Sequence, residues 1–450
     1  MSTPSSELAA LFRRDLARLV RQLDALDDAR LWQVLPGVTN SAGTLMLHLN
    51  GNLREYVGRQ IGGVPYVRDR PREFAATGVP RAEMTAALTE LASLIPGVID
   101  RTPAATWDTT FPENVLGSGA VEPLKSGTEL FRNEEIRVWT LDGEVVIASI
   151  TAKLHLISPS VTEGLLKAVE IAESQYKGLV IWSPDDVFSA GANLEALMPV
   201  FMKSGAKGIK PEEKKLQDAM LRIRYAQVPV VSAMRGIALG GGCELAVHSA
   251  KRVAAMETYV GLVEVGVGLI PGGGGLAYIA RRAAEMAAAG NANADLLKFV
   301  TDGFTNAAMA KVGTSAIESR KLGYLLWSDP VVPHKDELLH VACTQVKAMA
   351  ESPWRAPTKT LFPVAGRNAI ATIKGQLANM RDGGFISAHD FHISTLIAEV
   401  VCGGDVDAGS LVSEEYLMTM ERERFCSLLE HPKSQERIMG MLQTGKPVRN

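Results

Sequence analysis

The chain has 450 residues, enough for two or three domains and at least one large hydrophobic core. Apolar residues make up 46 % and charged residues 22 %, the mix of an ordinary globular protein, which excludes disordered, collagen-like and coiled-coil chains. The formal net charge is −3, so no global field draws in nucleic acid or an anionic membrane, and any anion site must be local.

The opening residues MSTPSSELAALFRRDLARLV place Glu7, Arg13, Arg14 and Asp15 where a secretory signal needs an apolar core. No apolar run reaches the roughly 18 residues of a membrane span, and a cytoplasmic location is expected. The 4 cysteines, Cys243, Cys343, Cys402 and Cys426, have neither CxxC spacing nor the density of a disulfide scaffold. They are read as buried or incidental thiols in a reducing compartment.

Apolar positions Leu8, Leu11, Phe12, Leu16, Leu19, Val20 and Leu23 recur at three- and four-residue spacing, which predicts a helix with one buried face. A second helix is predicted from an Asn40 or Ser41 cap through Leu45, Leu49, Leu53 and Val57. A third is predicted with Pro80 as its first residue, running through Leu88, Leu91 and Leu94. The segment LWQVLPGVTNSAGTLMLHLNGNLREYVGRQIGG, with YVRDRPREF and VPR after it, resembles the DinB-like four-helix bundles over about the first 115 residues. That resemblance implies a divalent metal held by three His, and His48 matches the first of them. His48 is, however, the one His before His155, and a single imidazole cannot fill a site needing about three protein ligands. No metal is expected; His48 is read as a packed or capping residue and the module as a docking or structural one.

Through residue 124 every Lys or Arg is Arg, and the first Lys is Lys125. Around this switch lies PENVLGSGAVEPLKSG, Pro112 to Gly127, rich in Gly, Pro and Ser, where a domain boundary is expected. Beyond it, β-rich runs at Val145 to Ile150, Gly178 to Trp182 and Val228 to Met234 alternate with helical stretches such as Val161 to Ser174. The alternation predicts an α/β domain with a largely parallel sheet, whose sites sit in loops at the carboxyl ends of strands.

Two glycine-rich loops follow two of these strands: FSAGANL after KGLVIW, and GIALGGGCELA after VPVVSAM. Glycine leaves backbone N–H groups bare toward a ligand, and two such groups can form an oxyanion hole. The second loop leads into a predicted helix, CELAVHSA, whose N-terminal dipole favours a developing negative oxygen. Glu264 lies in the apolar run YVGLVEVGVGLI with no neighbouring Lys or Arg, a setting in which a charged residue usually has a task. The GVGLIP run at Gly266 to Pro271 imitates a dinucleotide fingerprint, but its sixth residue is Pro and no βαβ unit opens there, so nicotinamide binding is not expected.

FSAGANL, GIALGGGCELA and YVGLVEVGVGLIPGGGG resemble, in order and spacing, the three signature segments of the crotonase (enoyl-CoA hydratase/isomerase) superfamily. The resemblance implies a ββα-spiral domain acting on acyl-CoA thioesters. It places the amides of Ala192 and Gly241 on the thioester oxygen, with Glu244 and Glu264 as acid and base. Ser189, Ala190, Gly191, Gly240, Pro271 and Gly272 would line the substrate site, and Lys153 would meet a CoA phosphate. Asn193 stands where the family has Asp, and His155 where the nearest subgroup has Asn.

The chemistry fits these residues. Water addition to a conjugated enoyl thioester builds charge on the thioester oxygen, which two amides stabilise, while two carboxyls divide the proton transfers if burial separates their proton affinities. Glu244 is expected to activate water and Glu264 to deliver the proton. The product would be 3-hydroxyacyl-CoA in β-oxidation, with no cofactor beyond the CoA of the substrate. The alternatives are a double-bond isomerase relying mainly on Glu264, and a non-catalytic acyl-CoA-binding scaffold.

The tail from Trp354 to Asn450, with GRNAIATIKGQLANMRDGGFISAHDFH, VVCGGDVDAGSLVSEEYL and HPKSQERIMGMLQTGKPVRN, resembles the end of bacterial 3-hydroxyacyl-CoA dehydrogenases fused to a hydratase; this match spans about residues 130–450. No GxGxxG-bearing βαβ unit occurs in the first 130 residues, so dehydrogenase activity is expected to be absent. His389 and His392 stand three apart on a predicted helix without a third ligand, so no metal is expected there either. The expected organisation is a small all-α bundle at 1–116, a linker at 117–133, a crotonase-like core at 134–330 and a helical C-terminal extension at 331–450. The extension is read as covering the core or making an oligomer contact. Acyl-CoA is the expected partner, without nucleic acid or membrane; a second copy of the chain and another β-oxidation enzyme are the protein partners left open.

Overall fold

The computed structural model describes residues 4–34, 40–102, 126–183, 185–290 and 295–450. The chain divides into two compact units, Met1–Asn114 and Val115–Asn450. Of the linker expected at 117–133, residues 117–125 lie outside the described residues.

The first unit contains helices α1 (Pro4–Asp24), α2 (Asp28–Trp32), α3 (Ala42–Leu53), α4 (Arg70–Ala75) and α5 (Arg81–Arg101), with a π-helical turn, Arg54–Ile61, continuing α3. Leu16 and Leu23 of α1 meet Leu88, Leu91, Ile95 and Ile99 of α5 in its core, as the three-and-four spacing requires. Ser41 caps α3 by accepting the Thr44 N–H at 3.1 Å. Pro80 is the cap of α5 rather than its first residue. The expectation of no membrane-length apolar run is also corrected, since α5 has 21 residues and a hydropathy of 1.2. Its buried side chains pack on α1, the behaviour of a core helix. His48 shares the buried Glu73 carboxylate, 2.9 Å away, with Arg68 at 2.7 Å.

The second unit is built on an eight-stranded sheet: β1 (Thr128–Arg132), β2 (Ile136–Thr140), β3 (Val145–Ile150), β4 (Gly178–Trp182), β5 (Val187–Ser189), β6 (Val230–Leu239), β7 (Lys251–Gly261) and β8 (Val331–Val332). The path is β1-β2-β3-β4-β6-β7-β8, with β5 on β6; the first two pairings are antiparallel and the rest parallel. β1 occupies residues expected to be linker, because Glu129 and Phe131 pair with Trp139 and Val138. The central strands are apolar along their whole length because both faces are covered. On one face Val146 and Ala148 of β3 join the core under α6 (Pro159–Gln175); on the other Val145 and Ile147 pack against Leu338, Leu339, Ala342 and Val346 of α12 (Leu338–Glu351).

The remaining helices are α7 (Leu194–Arg224), α8 (Gly241–His248), α9 (Gly275–Gly290), α10 (Leu296–Ala308), α11 (Ala316–Lys321), α13 (Gly366–Asp382), α14 (Ala388–Val401), α15 (Glu414–Leu429) and α16 (Pro432–Thr444). A two-residue ladder joins β9 (Phe362–Pro363) to β10 (Leu411–Val412). The division of core from extension at residue 331 does not hold in this architecture. β8, α12, and side chains such as Ile393, Ile397, Phe425 and Leu428 belong to the same sheet and cores as β3 and β6.

Candidate active site

Both glycine-rich loops leave the carboxyl ends of parallel strands, β5 and β6, and meet there. The first is pinned on both sides. Ile157 N–H donates to Gly191 O at 2.8 Å and Asn193 N–H to Ile157 O at 2.9 Å, while Ala190 N–H donates to Leu154 O at 3.1 Å. The buried Ser189 Oγ accepts the Gly191 N–H at 3.2 Å. His155 holds the approach strand, with Nδ1 2.6 Å from Val187 O and Nε2 3.2 Å from Ser183 Oγ, and lies 3.3 Å from Asp185. Its role is therefore to brace the loop. Asn193 caps α7 by accepting the Ala196 N–H at 3.0 Å, a task Asn and Asp perform equally well. Lys153 is exposed on the turn Lys153–His155, without a charged partner among the described residues.

In the second loop Gly240 takes φ +54°, ψ −125°, a backbone conformation that side chains disfavour, and this starts α8 at Gly241. Gly191, at φ +110°, faces it: a Cβ there would sit 3.3 Å from Gly241 N, and one on Gly241 would sit 3.2 Å from Ala192 N. The two amides thus share one small space. Gly241 N–H is an orphan donor of the α8 terminus, and among the described residues neither it nor Ala192 N–H has a protein acceptor. Two free donors beside a helix N-terminus make an anion-stabilising pocket.

Both expected carboxyls are brought to this pocket. Glu244, in the first turn of α8, is 2 % exposed, and its Oε1 accepts the N–H of Gly273 and of Gly275, each at 2.8 Å. Glu264 begins the 3-10 turn Glu264–Val267, and its Oε1 would lie 3.1 Å from a Cβ on Gly240. Its Oε2 is shielded from solvent and has no hydrogen-bond partner. Burial raises the proton affinity of both. Two backbone donors counter this at Glu244; at Glu264 the negative charge of Glu244 adds to it, a larger influence than either of the backbone N–H groups, of Glu264 and Val263, that act the other way. The pair is therefore split, Glu244 being the more acidic and Glu264 the holder of the proton.

Sequence reasoning missed a third and a fourth buried carboxyl. Glu421 of α15 accepts from Gly274 N–H at 2.5 Å and Leu276 N–H at 2.9 Å, so Glu244 and Glu421 divide the amides at the start of α9 between them. Glu213 of α7 lies against Pro271-Gly272, where a Cβ on Gly272 would overlap its carboxyl. Neither stands in a glycine-rich motif. Glu213 does interrupt the apolar spacing of its helix, the one signal available.

An apolar cavity of about 180 Å³ opens beside the first loop, lined by Leu194, Leu197, Phe201, Ile209, Phe425 and Leu429. His389 and His392 lie on α14 and stack with His431, centroids 4.5 and 5.4 Å away; His389 Nε2 is 3.0 Å from Ser434 Oγ. Among the described residues no cluster of His, Cys, Asp and Glu has metal-binding geometry, and the four cysteines are free thiols.

The sequence profile of the family described as Enoyl-CoA hydratase/isomerase matches residues 151–298, the segment that carries both loops and both glutamates. This part of the chain is a crotonase domain. Among the relatives, a probable 3-hydroxyacyl-CoA dehydrogenase of Bacillus subtilis is 36 % identical over 324 residues, 71 % of this chain and 40 % of that protein. A putative fatty acid oxidation complex trifunctional enzyme of Rickettsia felis is 40 % identical over 133 residues, 30 % of this chain and 18 % of that protein. Human mitochondrial methylglutaconyl-CoA hydratase is 33 % identical over 176 residues, 37 % of this chain and 51 % of that protein. The chain thus spans about half or less of the length of these relatives. Among solved structures, an enoyl-CoA hydratase from Bacillus halodurans gives a TM-score of 0.46 at 14 % identity, covering 68 % of this chain and all of that one.

Proposed function

We propose that the crotonase domain hydrates 2-enoyl-CoA thioesters to 3-hydroxyacyl-CoA. The observation that carries this reading is the unequal treatment of two neighbouring buried carboxyls: Glu244 Oε1 accepts the N–H groups of Gly273 and Gly275, while Glu264 keeps Oε2 unpartnered and feels the charge of Glu244. Hydration needs one base and one acid at adjacent carbons, and this asymmetry supplies one of each.

The thioester oxygen accepts from Ala192 N–H and Gly241 N–H, which strengthen their hold as it becomes an enolate. Glu244 takes a proton from water as its oxygen bonds to the β-carbon, and Glu264 gives its proton to the α-carbon. The double-bond electrons are taken up in the new C–H bond, and exchange with solvent returns both carboxyls to their starting states. The acyl chain follows the apolar cavity along α7, and Lys153 meets a CoA phosphate at the rim. The reaction is redox-neutral and draws on no cofactor beyond the CoA of the substrate.

The test is the conjugated enoyl-thioester absorbance after the full chain is added to crotonyl-CoA and longer 2-enoyl-CoA substrates. Loss of absorbance with formation of 3-hydroxyacyl-CoA is expected. Isomerisation of 3-enoyl-CoA without hydration, or tight binding without turnover, overturns the reading.

A further inference from the structure

Five consecutive N–H groups, from Gly273 to Ala277, run into the first turn of α9, and two carboxyls share them by turns. Glu244 Oε1 accepts from Gly273 and Gly275, each at 2.8 Å. Glu421 of α15 accepts from Gly274 on Oε1 at 2.5 Å and, on Oε2, from Leu276 at 2.9 Å and Ala277 at 3.4 Å. Both oxygens of the fully buried Glu421 are thereby committed, so it has none left for a reacting atom. These are orphan donors of a helix start, and both carboxyls act as its caps.

The glycine turn does not fix its own shape. Gly274 stands at φ +102°, and Gly273, Gly274 and Gly275 have no side chain to pack. Among the described residues, the turn's hydrogen bonds to side chains other than Glu244 all lead to α15. Gln217 Nε2 donates to Gly272 O at 2.7 Å and to Met418 O of α15 at 2.9 Å, and Gln217 Oε1 accepts from Arg422 of α15. A Cβ on Gly274 would overlap the Met418 methyl group. Because Glu244 itself lies on α8, it is α15 that sets the directions in which the Gly273 and Gly275 amides meet it. The titratable and charged groups facing the two carboxyls are Glu264, Glu213 of α7, Arg422 of α15, and Cys243 and His248 of α8.

We propose that Glu421 is a positioning residue for the hydration: by holding the amides of Gly274 and Leu276 it turns those of Gly273 and Gly275 onto Glu244 Oε1, and so keeps Glu244 oriented and ionised for its work on water. The inference rests on the hydratase reading for the task of Glu244. Hydrogen bonds to the charged form of a carboxyl favour that form, so a turn that lets go of Glu244 both misplaces the base and raises its proton affinity.

The test is the pH profile of kcat and KM for crotonyl-CoA in the wild-type chain, in Glu421→Gln, which keeps one acceptor oxygen, and in Glu421→Met, which keeps none. kcat is expected to fall about 10-fold in Glu421→Gln and further in Glu421→Met, with KM changed less than about 3-fold, since small misplacements of reacting groups are costly. The acidic limb is expected to move to higher pH, because Glu244 loses donors that favour its ionised form. A limb that stays in place, with only a lowered Tm, makes Glu421 structural and overturns the proposal. A limb that moves to lower pH makes it a bearer of charge alone and overturns it too.

The carbon NMR signal of the Glu244 carboxyl, assigned with Glu244→Gln, follows the same titration without substrate. If the wild type does not hydrate, yet Glu244 titrates at higher pH in Glu421→Gln, the hydratase reading falls and the hold of Glu421 on Glu244 stands. An unmoved titration in an active enzyme removes this inference alone. Should both variants fail to fold, hydrogen exchange of the wild type decides. Gly274 and Leu276 amides as protected as those of Gly273 and Gly275 are expected, and fast exchange at Gly274 and Leu276 alone overturns the proposal.

Discussion

The hydroxyl of Ser434 donates to the carbonyl oxygen of Gly268 at 2.5 Å, joining α16 to the end of the turn that carries Glu264. Three residues along, the wholly buried Arg437 donates to Val265 O at 3.2 Å and to Asp390 at 2.8 Å. The turn is therefore held from the tail at two of its carbonyls. Ser434→Ala removes one of these ties at a stability cost of about 1 kcal/mol. If the tie positions Glu264, kcat falls about 10-fold or more while KM moves little, since small misplacements of reacting groups are costly. Thermal unfolding and steady-state kinetics on one preparation check this. A lowered Tm with unchanged kcat would leave Ser434 a purely structural residue.

The split of the two site carboxyls fixes the shape of the pH profile. In the proposed hydration Glu244 works ionised, so activity is expected to be lost as pH falls through its range, which burial has raised above that of an ordinary carboxylate. In the same proposal Glu264 works protonated, and its range is raised further, by burial and by Glu244, so activity is expected to be lost again as pH rises through it. A bell is expected, with both limbs reporting carboxyls. Glu264→Gln should lower turnover at least about 100-fold and remove the alkaline limb from what remains. Near-normal turnover in that variant would take Glu264 out of the reaction.

Glu213 gives a stability signature independent of any substrate. Its folded-state value near 8 lies above the unfolded 4.5, so the folded protein binds this proton more tightly. The contribution is fully favourable below about 4.5 and is lost as pH rises toward about 8. Glu213→Gln, which does not titrate, should match the wild type in Tm near pH 5 and exceed it increasingly up to about pH 8, by on the order of 4 kcal/mol at most. Tm curves across that range that run parallel would show Glu213 to be ordinarily acidic.

The parts of this molecule written in short contiguous segments are legible in the sequence alone. FSAGANL and GIALGGGCELA announce close backbone approach, and the apolar context of Glu264 announces an unpaired carboxyl; all three converge. The strands VVIASI and GLVIW were equally plain as runs of β-formers. What escaped depends on long-range partners. TELFR has no apolar periodicity of its own and becomes β1 through pairing with Ile136–Thr140. The tail reads as a cover for the core or an oligomer contact, but nothing local reveals that Leu338 and Leu339 are the residues that cover Trp139 and Ile147, or that Glu421 seeks amides in the Gly274 loop. Glu213 stands in KPEEKK among solvated charges, and only its place in the apolar spacing of Ile209, Met220 and Ile223 marks it.

The sharing of the α9 N-terminus between Glu244 and Glu421 also sets an order of events during synthesis. Gly274 leaves the ribosome 147 residues before Glu421, so the nascent chain carries its signature loops for many seconds with their shared helix end half closed. The site is completed only once α15 has been made. Premature termination between α9 and α15 would yield a polypeptide bearing every recognisable motif of the domain, yet with the glycine loop that holds Glu244 missing half of its anchors.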